Sequence, residues 1–286
     1  MIIPGLTSGI IRGMGITADS LPRLDDTLTL PAETVKAFRD CGWALVRDLC
    51  HPGEVGVYGD LIREVTIANN NETRPMEQRD TYGRAFLQTM NLWQLDPRVT
   101  AFTLSKRFAG AAAQLLGVER VRLYHDQSLF KEPGGGHTPW HQDGWYWPVR
   151  QGRTVTMWMP LVDVPADMGT MSFADGSNLE GLVDLGGQIS DQSEAFFDGF
   201  VLGRRLPINT SGAMRAGDAT FHAGLTLHRA PGNPTDRVRA VMTVIYIAEG
   251  EKVQAPTNEN QENDLRTWFP GLKPGDLIAS PLNPLI

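Results

Sequence analysis

Basic residues and cysteines are both scarce in this chain. Its 286 residues hold 26 Lys and Arg against 33 Asp and Glu, a formal net charge of −7, with no clustered basic run. Nucleic-acid binding needs such a patch to meet phosphates, so no nucleic-acid partner is expected. Only two cysteines occur, Cys41 and Cys50. They make no disulfide framework and suit a reducing compartment, so the expected location is the cytoplasm. No run of about 18 apolar residues exists, so no membrane span is expected. The start, Met1-Ile2-Ile3-Pro4-Gly5, lacks a basic segment followed by an apolar one, and no signal peptide is read there. No internal repeat is visible.

What remains is an ordinary globular composition, 41% hydrophobic and 21% charged. The length suits one β-rich domain over residues 1–286. Residues 1–29 read as an irregular leader. Residues 30–117 read as mostly helical, with helices over Pro31–Asp40, Glu54–Asn69 and Pro97–Leu116 and a short strand over Trp43–Val46. Residues 70–90 are polar and unpatterned, a solvated loop or a flap over a pocket. From 118 to 250 strands dominate, among them 122–131 and 154–161. Within that part, 175–210 lacks a pattern and reads as a lid or insert that selects substrate. Residues 251–286 read as a polar, proline-containing surface tail.

The chemistry centres on Trp140-His141-Gln142-Asp143. On an extended strand, residues two apart point to one side, so His141 and Asp143 aim an imidazole and a carboxylate at a common point. A third ligand must come from far along the chain. Gly217–His228 offers His222 and His228, which share strand parity. Two imidazoles and one carboxylate leave three adjacent positions open, the arrangement of non-haem Fe(II) oxygenases. Arg239 follows His228 by eleven residues, after the turn signal Pro231-Gly232-Asn233-Pro234 and at the head of the apolar run 240–247. A strand–turn–strand path returns Arg239 beside His228, where a guanidinium suits a carboxylate co-substrate.

These pieces together resemble the phytanoyl-CoA dioxygenase family of Fe(II)/2-oxoglutarate-dependent oxygenases. The resemblance runs from about Leu30 to Ile247. It rests on Asn91-Leu92-Trp93, Asp126-Gln127, Lys131-Glu132-Pro133-Gly134, Trp140–Asp143, Trp158-Met159-Pro160-Leu161, Gly169–Phe173, Gly217-Asp218, and His228 with Arg239. It implies a mainly β fold with flanking helices on a double-stranded β-helix, or jelly-roll, core. It also implies that His141, Asp143 and His228 hold Fe(II), since the step to Arg239 favours His228 over His222. The resemblance further implies 2-oxoglutarate and O2 as co-substrates, with the distal carboxylate on Arg239 and contacts from Gln127, Lys131, Thr156 and Trp158. A carboxylate at 143, rather than Ala or Gly, leaves no vacancy for a halide and favours oxygenation or other hydrogen abstraction. The family commonly carries a small hydroxyl residue two positions after the distal histidine. Here Ala230 stands there, and Thr156 is the expected substitute donor.

The closest flavour resembles bacterial members that tailor natural products by hydroxylation, cyclisation or epimerisation. The aromatic set Trp140, Trp145, Tyr146 and Trp147 suits a small, flat or apolar substrate. A hydroxylase of a lipid or acyl-CoA, and a non-catalytic metal-binding jelly-roll module, are the competing readings. Arg74, Arg79, Arg84, Arg204 and Arg205 are too scattered to form a rim for coenzyme A. His125 and His137 read as structural or pocket-lining, and His51 as surface.

Overall fold

A computed structural model describes residues 17–183 and 189–286. Residues 1–16 of the expected leader and 184–188 of the expected lid fall outside the described residues. The first part is helical. Helix α1 (Ala32–Cys41) ends at Gly42, whose left-handed φ of 85° lets its N–H return to the Phe38 carbonyl. A side chain at 42 would also collide with Thr226 and Asn178, so this turn must be glycine for two reasons. Strand β1 (Trp43–Val46) and helix α2 (Pro52–Asn69) follow.

The stretch 70–90 is more ordered than its polarity suggests. It holds α3 (Thr81–Ala85), capped by Asp80, and β2 (Leu87–Met90). A short α4 (Leu92–Leu95) leads on. The single helix expected over 97–116 is two, α5 (Pro97–Thr103) and α6 (Lys106–Leu116). Ser105 divides them: its hydroxyl caps α6 at the Phe108 N–H and donates to the Leu24 carbonyl.

The remaining elements are β3 (Val121–Phe130), β4 (Thr138–His141), β5 (Thr154–Pro160), β6 (Ser172–Ala174) and α7 (Asp191–Arg204). After them come β7 (Ile208–Thr210), β8 (Ala219–Ala223), β9 (His228–Ala230), β10 (Val241–Ala248) and α8 (Glu259–Trp268). The strands form two antiparallel sheets, ordered β1-β8-β5-β10-β3-β2 and β4-β9-β6-β7. They make the expected jelly roll with helices outside. The central strands β5, β8 and β10 are buried along their whole length, because α6 covers one face and the second sheet the other. The main core lies under the helices, where Phe102, Phe108 and Ile62 meet Val155, Met157 and Val244.

Two corrections concern positions that frame the site. Residues 228 and 239 do not belong to one hairpin. Strand β9 lies in the four-stranded sheet and β10 in the six-stranded one, and the turn between them passes from one sheet to the other. Buried Asn233 fixes that crossing by donating to the carbonyls of Lys131, Glu132 and Arg237. The tail after 250 also does more than cover surface. Phe269 and Ile278 pack with Tyr124, Trp147, Val149 and Ile247 in a core of their own, which sets α8 against the cavity.

Candidate active site

Between the two sheets lies a cavity of about 320 Å³, within the range of small-molecule sites. His141 ends β4, Gln142 stays extended, and Asp143 opens a short turn. The His228 backbone pairs directly with that of His141 across the β4–β9 ladder. Asp143 Oδ1 lies 3.6 Å from His141 Nε2 and 3.7 Å from His228 Nε2. The ligand atoms of these three residues all fall within 4.8 Å of one another. One ion can touch all three.

Hydrogen bonding has already chosen the tautomers. His141 Nδ1 meets the Pro139 carbonyl at 2.8 Å, and His228 Nδ1 meets the Thr226 carbonyl at 2.9 Å. A carbonyl only accepts, so each Nδ1 carries the proton and each Nε2 turns a lone pair inward. Thr226 is itself held, its hydroxyl donating to the Gly42 carbonyl. Burial keeps both imidazoles neutral, pushing their pKa values down. Burial alone would raise the Asp143 carboxyl. The hydrogen bond from His222 Nε2 to Oδ2 works against that, and the carboxyl lies below the usual range. A neutral, neutral, anionic donor set with open sides fits Fe(II).

His222 stands behind this set. From β8 its Nε2 meets Asp143 Oδ2 at 3.2 Å, and Thr156 on the paired strand donates its hydroxyl to the same oxygen at 2.8 Å. Asp143 thus turns Oδ1 toward the other two histidines and keeps Oδ2 bonded away. The Thr156 hydroxyl is directed to the carboxylate and not toward Arg239, which departs from its expected role as a co-substrate donor.

Arg239 closes one end of the cavity. It is fully buried, and its guanidinium carbon sits 5.3 Å from the Trp158 ring centroid and 5.8 Å from that of Phe86. Nη1 donates to the Gly169 carbonyl, while Nε has no partner among the described residues. Lys131 pairs with Arg239 through the backbone and is equally buried. Its ammonium meets the Gly136 carbonyl and, at 3.4 Å, the Thr138 hydroxyl. Burial and then Arg239 push the Lys131 pKa down to about 6, and burial lowers Arg239 to about 9. Among the described residues neither Arg239 nor Lys131 has a carboxylate partner. A buried guanidinium without a counter-ion is costly and fits a bound carboxylate.

On β3, His125, Gln127 and Leu129 line the cavity, while Lys131, also expected near the co-substrate, is not among the lining residues. Gln127 accepts a hydrogen bond from Gln88 of β2. Trp158 is a cavity wall as well as a packing residue. His137 sits at the surface near Asp191, and His51 caps α2.

The sequence model of the family Phytanoyl-CoA dioxygenase (PhyH) matches residues 38–241. The chain belongs to the phytanoyl-CoA dioxygenase family. That is a family of Fe(II)/2-oxoglutarate-dependent dioxygenases, and the ligand set such an enzyme needs is assembled here. A probable alpha-ketoglutarate-dependent hypophosphite dioxygenase of Stutzerimonas stutzeri is 22% identical over 153 residues. The match covers 51% of this chain and 53% of that protein, so the chain spans about half the length of this relative. Among solved structures, the alpha-ketoglutarate-dependent carbocyclase SnoK from nogalamycin biosynthesis is 25% identical with a TM-score of 0.73, covering 91% of this chain and 99% of that one. The epimerase SnoN from the same biosynthesis is 25% identical with a TM-score of 0.72, covering 88% of this chain and 94% of that one.

Several cavity residues escaped the sequence reading. Phe86 and Met90 come from a stretch without clear periodicity, although Leu87–Met90 alternates in burial. Thr138 carries no signal of its own. Asn260, Asp264 and Trp268 come from the tail, where only the Asn258 helix cap and the Trp268-Phe269 pair gave a hint. Of the expected insert, α7 is bound into the small sheet. Glu194 accepts from the Trp140 N–H, and Asp198 accepts from the Trp140 indole. Arg204 lies 3.3 Å from Glu180.

Proposed function

We propose that this protein is an Fe(II)/2-oxoglutarate-dependent oxygenase that abstracts hydrogen from a small, ring-sized natural-product substrate. The product is a hydroxylated, cyclised or epimerised molecule. His141, Asp143 and His228 would hold the iron, and Arg239 would take the distal carboxylate of 2-oxoglutarate. When bound, iron with 2-oxoglutarate and O2 supplies a hydrogen-abstracting oxidant and releases succinate and CO2. The protein's own residues do the rest. His141 and His228 keep their Nε2 lone pairs inward, His222 and Thr156 orient Asp143, and Trp158 and Phe86 keep water from the guanidinium.

The observation that carries this reading is Arg239, buried, without a carboxylate partner among the described residues, and lining the cavity that also holds the three ligands. A purely structural metal site has no use for such a guanidinium. Tyr82, Tyr146, Trp147 and Trp268 line the rest of the cavity and favour a flat or polycyclic body. An acyl-CoA is disfavoured because Arg229, the other arginine of the lining, is paired with Glu194 and Asp198. The carbocyclase and epimerase similarities point the same way. The test is aerobic turnover without substrate: Fe(II)-loaded protein should convert 2-oxoglutarate to succinate slowly, and Asp143→Ala should not. Equal rates in both would refute the assignment.

A further inference from the structure

Arg239, whose backbone pairs with that of Lys131, marks one end of the cavity, and the other end carries the opposite charge. Strand β3 runs between them. From Lys131 to His125 is six residues of strand, roughly 20 Å. Beyond His125 the wall is completed by α8, which contributes Asp264 and Trp268. The Trp268 ring centroid lies 5.3 Å from that of His125.

Asp264 is held firmly but not neutralised. The Tyr124 hydroxyl donates to Oδ2 at 2.5 Å, and the Trp268 side chain bonds the carboxylate as well. Both donors are uncharged. Burial raises this carboxyl to about 6, and no cation acts to lower it. The more deeply buried acids differ. Glu251 faces Arg150 and Arg153, and Asp218 faces Arg47. Asp126 lacks a cation too, but it is sealed from the cavity and accepts from Leu92, Trp93 and Thr103. Asp264 alone among these opens onto the cavity. Trp268, Trp147 and Tyr146 line the same cavity, and Asp264 and Trp147 both lie against Tyr124. A carboxylate set in aromatic walls is the chemistry that holds an alkylammonium group.

We propose that Asp264, with Trp268 and Trp147, binds a protonated amine on the substrate. The substrate class is then an amine-bearing, ring-sized molecule whose cation sits against α8. The inference deepens the oxygenase reading and rests on it for the iron end of the cavity. Asp264 and Trp268 lie beyond the family match at 38–241, whereas Trp147 and Tyr124 fall within it.

The experiment uses the full protein loaded anaerobically with Fe(II) and 2-oxoglutarate. Two probes are compared by quenching of tryptophan fluorescence: an anthracene carrying an aminomethyl group and its hydroxymethyl counterpart. The amine should bind the wild-type protein about tenfold tighter. Asp264→Asn should bring the two together. Equal affinities in the wild type, failure of both to bind, or a preference that survives Asp264→Asn would each overturn the proposal. The iron-to-keto-acid absorption band, recorded on the same samples, separates the two claims. Its absence would fault the oxygenase reading, whereas a normal band without amine preference faults only the role of Asp264.

Discussion

Asp143 Oδ2 lies 3.2 Å from His222 Nε2, while Asp143 Oδ1 faces His141 and His228. One carboxylate therefore has two assigned sides. His222 was a candidate ligand by strand parity. Its place behind the carboxylate makes it a positioning residue instead, one that holds Asp143 to a single ligating oxygen.

The two histidines should then respond differently to truncation. His228→Ala should abolish stoichiometric Fe(II) binding. His222→Ala should keep it, weakened about ten- to a hundredfold, as for other partners of metal ligands. Anaerobic Fe(II) titration checks this. Full binding in His228→Ala with loss in His222→Ala would reverse the assignment.

Ala230 lacks the hydroxyl common at its position, but the cross-strand partner of Ala230 is Thr138. Directly opposed residues on a sheet sit within about 5.5 Å at Cβ, and Thr138 lines the cavity. We propose that Thr138 supplies the missing donor. Thr138→Val should raise the 2-oxoglutarate half-saturation about three- to tenfold, and Ala230→Ser on that background should restore it. An unchanged requirement in Thr138→Val would end the idea.

Lys131 makes a pH prediction. Its folded pKa is pushed down to about 6 from an ordinary 10.5. Between those values the unfolded chain binds the extra proton, so this group's contribution to stability rises with pH and is lost as pH falls toward 6. Lys131→Met removes that dependence. Between pH 7 and 9 the apo wild type should gain stability over Lys131→Met by up to about 1.4 kcal/mol per pH unit. Denaturant unfolding of both proteins at the two pH values measures it. A constant difference would mean that Lys131 is charged in the fold.

His141 and Asp143 were legible as a pair because strand spacing is local: two residues apart means one side. Arg239 was legible by its step from His228, yet the hairpin drawn to explain that step was wrong. A turn signal tells that the chain reverses, not that it changes sheets, and the side chain of Asn233 is what carries it across. The break at Ser105 hid in an alanine-rich helix because its cause is the Leu24 carbonyl, 81 residues away in sequence. Asp264 hid for a like reason. A polar helix with one Trp-Phe pair reads as surface until the core that receives Phe269 is known.

The most direct test is anaerobic titration of the Fe(II)-loaded protein with 2-oxoglutarate, watching the visible iron-to-keto-acid charge-transfer band in wild type and Arg239→Ala. The account predicts a saturable band in the wild type that decays on admitting O2 as succinate forms. In Arg239→Ala the midpoint should shift upward by roughly a hundredfold. Iron binding without the band, or a midpoint that ignores Arg239, would contradict it.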